Sequence, residues 1–261
     1  MEFLRHLQSS PAPLTKTVKY TRHVPELAKI HSLSPLIYST PTHFCSGDAS
    51  LPLPKSTMVT FAAPGILARS DNTLFLYSQE GARVNVGVSF RRVQHAVTQA
   101  QLYQDFVFAL TRNTIYVSDL ANTASREIHF EHDVRQFQIV DGRLLVLSNR
   151  LCLCALDGTV QMEWLLEGAE RMEATPEGIL VGGGGRVWLV REGGVRSVEI
   201  AEPVRFLRFP LVVCAARAFG LSVGPDGSLG VASVFEGSLE LCGDLFTRNG
   251  GLVEAVTLAC K

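Results

Sequence analysis

The sequence predicts an all-β protein built from a repeated four-stranded unit. Three observations predict this fold class. Short runs rich in Val, Ile, Leu, Phe and Tyr alternate apolar and polar residues with a period of two, which is typical of strands. Turns rich in glycine and small polar residues separate these runs. The whole pattern returns at a nearly constant spacing, which indicates a repeat architecture.

The turns define the repeat. An acidic residue and glycine, or an asparagine, follow the third run of each copy, at positions 81, 122, 158, 193 and 227, which step by 41, 36, 35 and 34. Glycine after an acidic residue favours a tight hairpin, because the central residues of that turn need positive φ. A fourth run follows each turn, for example residues 159–165. Four antiparallel strands per copy, in at least five copies, predict a β-propeller.

The predicted blades span residues 56–90, 93–131, 133–167, 169–202 and 203–235, with a closing segment at 236–261. That closing segment has only two or three strands' worth of pattern. We therefore expect an N-terminal segment around residues 33–45 to complete one composite blade, because sharing a blade between the termini removes free sheet edges. The predicted count is six blades, with seven blades or an open ring as alternatives.

Residues 1–55 differ in composition from the repeats. Prolines punctuate them, and Lys16, Lys19, Arg22 and Lys29 outnumber the local acidic residues. We interpret this region as an extended N-terminal arm, partly packed on the propeller that occupies residues 56–261. Its four basic residues are candidate contacts for a partner on which the arm becomes ordered.

Across residues 56–235, the period and pattern resemble the WD40-like propeller superfamily. The third runs of two copies end in Tyr77-Ser78 and Ser118-Asp119, where that superfamily usually has Trp-Asp, and the usual Gly-His opening is absent as well. The chain is thus similar to a divergent member. The resemblance implies a rigid scaffold with protein or peptide partners within assemblies.

Composition sets limits on function. Hydrophobic residues make up 46% and charged residues 19% of the chain, and the formal net charge is -1. This balance suits a folded protein and provides no global field that attracts nucleic acid or anionic membranes. We find no apolar run long enough to span a membrane and no secretory signal in the first ten residues. We therefore expect an intracellular protein, cytoplasmic or nuclear, whose cysteines are mostly buried and reduced.

Two glycine motifs resemble enzyme signatures. The run Gly182–Gly185 is followed by Arg186 and a strand, whereas a phosphate-binding loop needs Lys-Ser/Thr at the start of a helix. We interpret the run as a hairpin turn. The stretch Gly220-Leu-Ser-Val-Gly224 matches a nucleophile elbow, but a proline follows at once and no histidine lies later in the chain. This match is accidental.

Metal ligation is not predicted either. His129 and His132 are three residues apart on a strand, which places them on opposite faces. His43 and Cys45 lack a second pair at zinc spacing, and Cys152 with Cys154 is typical of buried small hydrophobic side chains. We expect no metal, no cofactor, no small-molecule substrate and no catalytic residue.

Arginine recurs at or near the same hairpin of successive repeats. The set comprises Arg69, Arg112, Arg150, Arg186 and Arg217, called the hairpin arginines below. Blade symmetry would place much of this set on one rim of the propeller. Either the rim is a contact surface, or arginine only keeps a turn soluble.

These patterns favour a non-catalytic scaffold for protein–protein interactions in a multi-subunit intracellular complex. The alternative is a component of an RNA–protein assembly, for example in ribosome biogenesis, in which the hairpin arginines contact phosphate. A propeller of a trafficking or coat complex is a second alternative, and it depends on fold analogy alone.

Overall fold

The computed structural model describes residues 11–26, 28–33, 36–41, 43–46, 49–52, 58–62, 65–70, 73–77, 83–89, 97–121, 123–200, 202–242, 244–249 and 252–260. These residues form 28 strands, and no helix occurs among them. They divide into two compact units.

One unit comprises His23–Glu170 with Cys242–Asp244. It contains four sheets, each of four strands in sequence order: β2–β5, β6–β9, β10–β13 and β14–β17. The strands are β2 (Lys29–Leu33), β3 (Leu36–Ser39), β4 (His43–Ser46), β5 (Ala49–Pro52), β6 (Met58–Ala62), β7 (Gly65–Ser70), β8 (Thr73–Tyr77), β9 (Arg83–Ser89), β10 (Gln99–Tyr103), β11 (Phe106–Thr111), β12 (Thr114–Asp119), β13 (Ser125–His129), β14 (Gln136–Val140), β15 (Arg143–Leu147), β16 (Arg150–Ala155) and β17 (Val160–Leu165).

The other unit comprises Met1–Arg22, Arg171–Leu241 and Leu245–Lys261. It contains a four-stranded sheet, β18–β21, and an eight-stranded sheet ordered β22-β23-β24-β25-β1-β28-β27-β26. The strands are β1 (Ala12–His23), β18 (Arg171–Thr175), β19 (Gly178–Gly183), β20 (Arg186–Arg191), β21 (Gly194–Glu199), β22 (Phe206–Arg208), β23 (Leu211–Val213), β24 (Arg217–Val223), β25 (Leu229–Glu236), β26 (Glu240–Cys242), β27 (Asp244–Asn249) and β28 (Leu252–Cys260).

The eight-stranded sheet consists of two sets of four strands. β22–β25 form one set, and β1 joins its outer edge in parallel, with Ala12 opposite Ser233 and Pro13 opposite Val234. β1, β28, β27 and β26 form the other set. The described strands therefore make seven sets of four, one more than the first predicted count of six blades.

Among the strands whose burial the structure describes, the middle strands of the sheets are the most buried. In β11 five of six residues are buried, and in β15 four of five. Such strands are covered on both faces and therefore consist of continuous apolar runs. The core between β10–β13 and β14–β17 includes Phe108, Leu110, Phe137 and Leu144. In the other unit, the core includes Leu180, Leu189, Val212 and Phe219.

The N-terminal region differs from the predicted extended arm. β1 (residues 12–23) completes the C-terminal set with β26–β28, and the segment around residues 33–45, which the sequence predicts in that place, instead contributes to a separate antiparallel sheet of four short strands, β2–β5. Proline disfavours strands because it has no N–H to donate. Pro52 is compatible with β5 because it is the last residue of a strand at the edge of its sheet. Each of the five predicted repeats, by contrast, coincides with the four strands of one sheet or set, although β25 extends one residue beyond the predicted end at 235.

The four-glycine run forms a hairpin between β19 and β20. Gly183 pairs with Arg186, and the two residues between them, Gly184 and Gly185, have φ of 57° and 81°. Two central residues with positive φ are the requirement of a two-residue hairpin that matches strand twist. The run is therefore a turn, as the sequence predicts, and it precedes a strand rather than a helix.

Candidate functional site

Three of the five hairpin arginines occupy equivalent places in their sheets, and the other two lie close to the same hairpin. Arg112 lies in the β11–β12 hairpin, and Arg150, Arg186 and Arg217 each begin the third strand of a sheet or set. Arg69 is the penultimate residue of β7, paired along the backbone with Met58 and Leu74. Its side chain lies outside the described residues.

Each described hairpin arginine binds a carboxylate. Arg112 Nε lies 2.9 and 3.1 Å from the two carboxylate oxygens of Asp133. Arg150 Nη1 lies 3.2 Å from both carboxylate oxygens of Glu163.

The same pairing occurs in the other unit. Arg186 Nη2 lies 2.6 Å from Glu199 Oε1, and Arg217 binds Glu202. The pairs of Arg112, Arg150 and Arg186, which are exposed, stabilise little individually. They matter more for partner binding, because each carboxylate neutralises an arginine that the sequence presents as a free positive charge.

The candidate arm contacts belong largely to β1. Lys16 Nζ lies 2.9 Å from Glu254 Oε2 and 3.1 Å from Thr247 Oγ1, so it links β1 to β28 and β27. Lys19 is exposed on the same strand, and the guanidinium of Arg22 lies 5.0 Å from the ring centre of Tyr20. Lys29 begins β2. The structure thus places Lys16 inside a sheet rather than on a free tether.

The histidine and cysteine candidates do not form a reactive centre. Among the described residues, no three His, Cys, Asp or Glu side chains converge as metal ligands. His129 Nδ1 lies 3.1 Å from Thr114 Oγ1, and its Nε2 lies 3.2 Å from Glu127. Burial raises the pKa of Cys154 to about 12 and that of Cys214 to about 11. These thiols therefore stay protonated and unreactive at neutral pH.

The apparent nucleophile elbow is a strand. Gly220 lies inside β24 opposite Ser233, and a Cβ at this position would come within 2.1 Å of Ser233 Oγ. Close approach to β25 therefore explains the glycine. Ser222 continues the same strand, so it is not presented at a sharp strand-to-helix turn.

A buried carboxylate in β18 was missed by sequence reasoning. The Oε2 atom of Glu173 is buried and accepts no hydrogen bond from a described residue. Burial raises the pKa of Glu173, and the charge of Arg208 partly opposes this shift. Among the described residues, the charged group that acts on Glu173 is Arg208, which is not an acid–base partner, so Glu173 carries no catalytic assignment.

A cavity of about 320 Å³ opens beside the β10–β11 hairpin. Its wall is mainly aromatic and aliphatic, and it includes Tyr103, Phe106, Phe108, Val117 and Leu156. Phe106 is 40% exposed although it is a large apolar side chain. The polar part of the wall includes the guanidinium of Arg126, whose Nη2 donates to the carbonyl oxygen of Leu156 at 3.0 Å.

The outer strand β17 exposes apolar side chains. Leu165 is 69% exposed, Val160 50% and Met162 37%. β17 is the last strand of its sheet and pairs with β16, which leaves its other edge unpaired within that sheet. The alternating pattern identified this strand, but it could not show which side chains remain uncovered.

Comparison with known proteins shows the fold and no closer relative. No family model and no curated protein matches this chain. Among the described residues, no helix is long and apolar enough to cross a membrane.

Solved structures match over nearly the whole chain. The β-propeller domain of Cps50 (Swd1) from Myceliophteria thermophila has a TM-score of 0.67 at 13% identity, covering 94% of this chain and 100% of that chain. The WD40 β-propeller domain of Doa1 has a TM-score of 0.63 at 13% identity, with coverage of 93% and 97%. BBS1N, solved in complex with ARL6DN, has a TM-score of 0.63 at 12% identity, with coverage of 96% and 98%.

These matches agree with the four-stranded sheets and with the repeat seen in the sequence. The identities are too low to carry over any activity or partner. The chain has a β-propeller fold similar to that of WD40 domains, without the Trp-Asp ending of the third strand.

Proposed function

We propose that this chain is a non-catalytic propeller that binds another protein within a multi-subunit intracellular assembly. The observation that carries the proposal is the exposed apolar outer strand β17. Met162 and Leu165 are three residues apart, so their apolar side chains flank the open edge on opposite faces of the sheet. An exposed apolar edge strand is a template for pairing with another chain.

β17 lacks most of the features that prevent an edge strand from pairing with another chain. Such edges are usually protected by charged side chains, proline or a covering element. The charged residue in β17 is Glu163, and Arg150 of the neighbouring strand neutralises it. A partner could therefore cover Met162 and Leu165 and add backbone hydrogen bonds to the open edge.

The ion pairs of the hairpin arginines favour a protein partner over RNA. A phosphate group would have to displace Asp133 from Arg112 or Glu163 from Arg150. Counterion release, which drives most RNA affinity, would also be small where carboxylates already neutralise the cations. BBS1N, a propeller of similar fold, is solved in complex with the protein ARL6DN, which supports a protein partner by analogy.

The test is recovery of a partner by the double variant Met162→Glu/Leu165→Glu. The matched control is Gln161→Glu, which adds one charge to the same exposed strand. Purification of each tagged protein from its native cells, with and without nuclease, should recover the same stoichiometric protein for the wild type and for the control. The double variant should lose at least tenfold of it, while its thermal unfolding stays unchanged.

A different outcome would support RNA binding. Recovery that disappears with nuclease, and that weakens when Arg112 and Arg150 are replaced by glutamine, would replace the protein-binding proposal by the RNA–protein alternative. Retention of the partner by the double variant would contradict the assignment to β17. A trafficking or coat assembly would be recognised from the identity of the recovered partner.

A further inference from the structure

We infer that the cavity beside the β10–β11 hairpin binds an extended segment of a partner protein, which inserts a large apolar side chain and places an acidic residue against Arg126. This inference rests on the proposed function and adds a second site with its own chemistry. Both sites lie within the unit that contains β2–β17.

The size and lining of the cavity fit one side chain. A volume of about 320 Å³ is at the lower end for sites that hold a small organic ligand, and the wall is mainly aromatic and aliphatic. Phe106 borders it while remaining 40% exposed. Interfaces gain most of their affinity from apolar anchors inserted into such pockets, so covering Phe106 would stabilise a complex.

The positive charge of Arg126 at the cavity wall favours an acidic residue next to the partner's apolar side chain. In contrast to Arg112 and Arg150, Arg126 has no carboxylate oxygen of a described residue within ion-pair distance. Its one described hydrogen bond is to the backbone oxygen of Leu156. A guanidinium has five N–H donors, so most of those of Arg126 remain able to bind a carboxylate.

Two carboxylates of the same unit, Asp157 and Asp119, are held by local donors. Asp157 accepts from the backbone N–H of Thr159 at 2.9 Å, and this bond and the Thr159 side chain do more than Arg126 to lower the pKa of Asp157. Asp119 accepts from the backbone N–H groups of Thr123 at 2.7 Å and Ala124 at 3.1 Å. Neither forms an ion pair with Arg126, and this leaves the anionic position open for a partner.

Capped dipeptides test the inference directly. The probe is N-acetyl-phenylalanyl-glutamate amide, compared with the same dipeptide carrying glutamine in place of glutamate and with one carrying alanine in place of phenylalanine. Binding to the full chain is followed by NMR titration. We expect the glutamate probe to bind about tenfold more tightly than the glutamine probe, as a charge-assisted hydrogen bond provides. The alanine probe should show no saturable binding.

Variants separate the two parts of the site. Arg126→Gln should abolish the preference for glutamate while phenylalanine-dependent binding remains. Ala124→Phe, an exposed residue of the cavity wall, should block both probes by filling the cavity. Arg143→Gln is the matched control, since Arg143 is an exposed arginine of the same unit outside the cavity, and it should bind like the wild type.

Several outcomes would overturn the inference. Failure of the glutamate probe to bind the wild type would overturn it, and so would a glutamate preference that survives Arg126→Gln. If 3-phenylpropionate binds more tightly than the glutamate probe, the cavity serves a small carboxylic acid and the peptide proposal is wrong. None of these results depends on β17, so the partner-binding proposal is tested separately by the Met162→Glu/Leu165→Glu variant.

Discussion

Gly182 and Gly184 stand in one hairpin and are glycine for different reasons. Gly184 has φ of 57°, a conformation that asparagine tolerates better than other side chains do. Gly182 has an ordinary φ, but a Cβ there would lie 3.0 Å from both methyl groups of Val204 and 3.1 Å from Leu207. The sequence shows the run of glycines. Only the packing shows that position 182 must lack a side chain because Val204 and Leu207, in or next to a different set of strands, lie so close to it.

Substitution should separate these two roles. Gly182→Ala should lower the free energy of unfolding by about 1–3 kcal/mol, because the added methyl group overpacks the core against Val204. Gly184→Asn should lower it by less than about 1 kcal/mol. Urea unfolding of both variants checks this pair, and equal losses would contradict the packing role of Gly182.

Glu173 stands at the position of the first strand of its sheet where the β10–β13 sheet has Gln101. It is the third residue of β18, as Gln101 is of β10. Gln101 Nε2 donates to the carbonyl oxygen of Ile139 at 3.3 Å, and its Oε1 accepts from the N–H of Ile139 at 2.9 Å. An ionised glutamate cannot donate, so Glu173 can make only half of this arrangement.

Glu173→Gln should therefore stabilise the protein near neutral pH. Because burial raises the pKa of Glu173 in the folded state, the folded protein binds the proton more tightly than the unfolded chain does. Stability is consequently lost as the pH rises through the unfolded pKa towards the folded one. We expect a gain on the order of 1 kcal/mol at pH 7.5, which shrinks below about pH 4 as the wild-type carboxyl becomes protonated.

The control for this prediction is Glu170→Gln, an exposed carboxylate next to β18. Its unfolding free energy should match that of the wild type at both pH values in thermal or urea unfolding. A Glu173→Gln variant that is less stable at pH 7.5 would show that attraction to Arg208 outweighs the cost of burial.

At the scale of elements, glutamine side chains connect neighbouring inner strands. Gln99 of β10 donates to the carbonyl oxygen of Phe137 at 2.7 Å and accepts from its N–H at 3.0 Å. Together with Gln101, this makes four hydrogen bonds between the β14 backbone and side chains of β10, two donated by the glutamines and two accepted by them. The amide groups act as a short added strand and satisfy backbone groups at an otherwise open edge.

Gln99→Met should destabilise the protein by about 1–3 kcal/mol, because Phe137 loses a partner for both its N–H and its carbonyl group. Gln161→Met on the exposed strand β17 is the control and should have little effect. Urea unfolding measures both. Equal stability of the two variants would contradict a structural role for the inner-strand glutamines.

The sequence predicts strands best where their partners are local. The alternation and the turns place β6–β25 because, within each set of four, every strand pairs with the next one through a short connection. The N-terminal elements are different. Lys16 and Glu254 are 238 positions apart, yet their side chains bind within one sheet. Such pairing leaves no local signal in residues 12–23, which explains why the sequence predicts an arm there.

The candidate site shows the same division. The repeat predicts where the hairpin arginines lie, but not that each described one is neutralised, since Asp133 and Glu202 come from connections outside the strands. The cavity combines the β10–β13 sheet with Leu156, which follows β16 of the next sheet. The sequence has no residue spacing that predicts a cavity whose wall comes from two different sheets.

At the scale of the whole molecule, β1 is a structural strand. It lies between β25 and β28 in the eight-stranded sheet, so both sets of strands depend on it. Deleting residues 1–23 should expose two strand edges and yield aggregated or largely unfolded protein. Lys16→Met, which removes the ion pair to Glu254 and keeps the strand, should cost less than about 1 kcal/mol.

Circular dichroism and size-exclusion chromatography check this prediction. A truncated chain that remains monomeric, with the β-sheet spectrum and cooperative unfolding of the full chain, would contradict the role of β1. It would also favour a dispensable tether at the N-terminus.

We propose above that this propeller binds a protein through β17. Hydrogen–deuterium exchange on the complex purified from native cells tests it most directly, by comparing the complex with the free chain. We expect slower exchange across residues 160–165, with no comparable change around the ion-paired Arg186 and Arg217. Unchanged exchange at residues 160–165, with protection confined to the hairpin arginines, would contradict the claim.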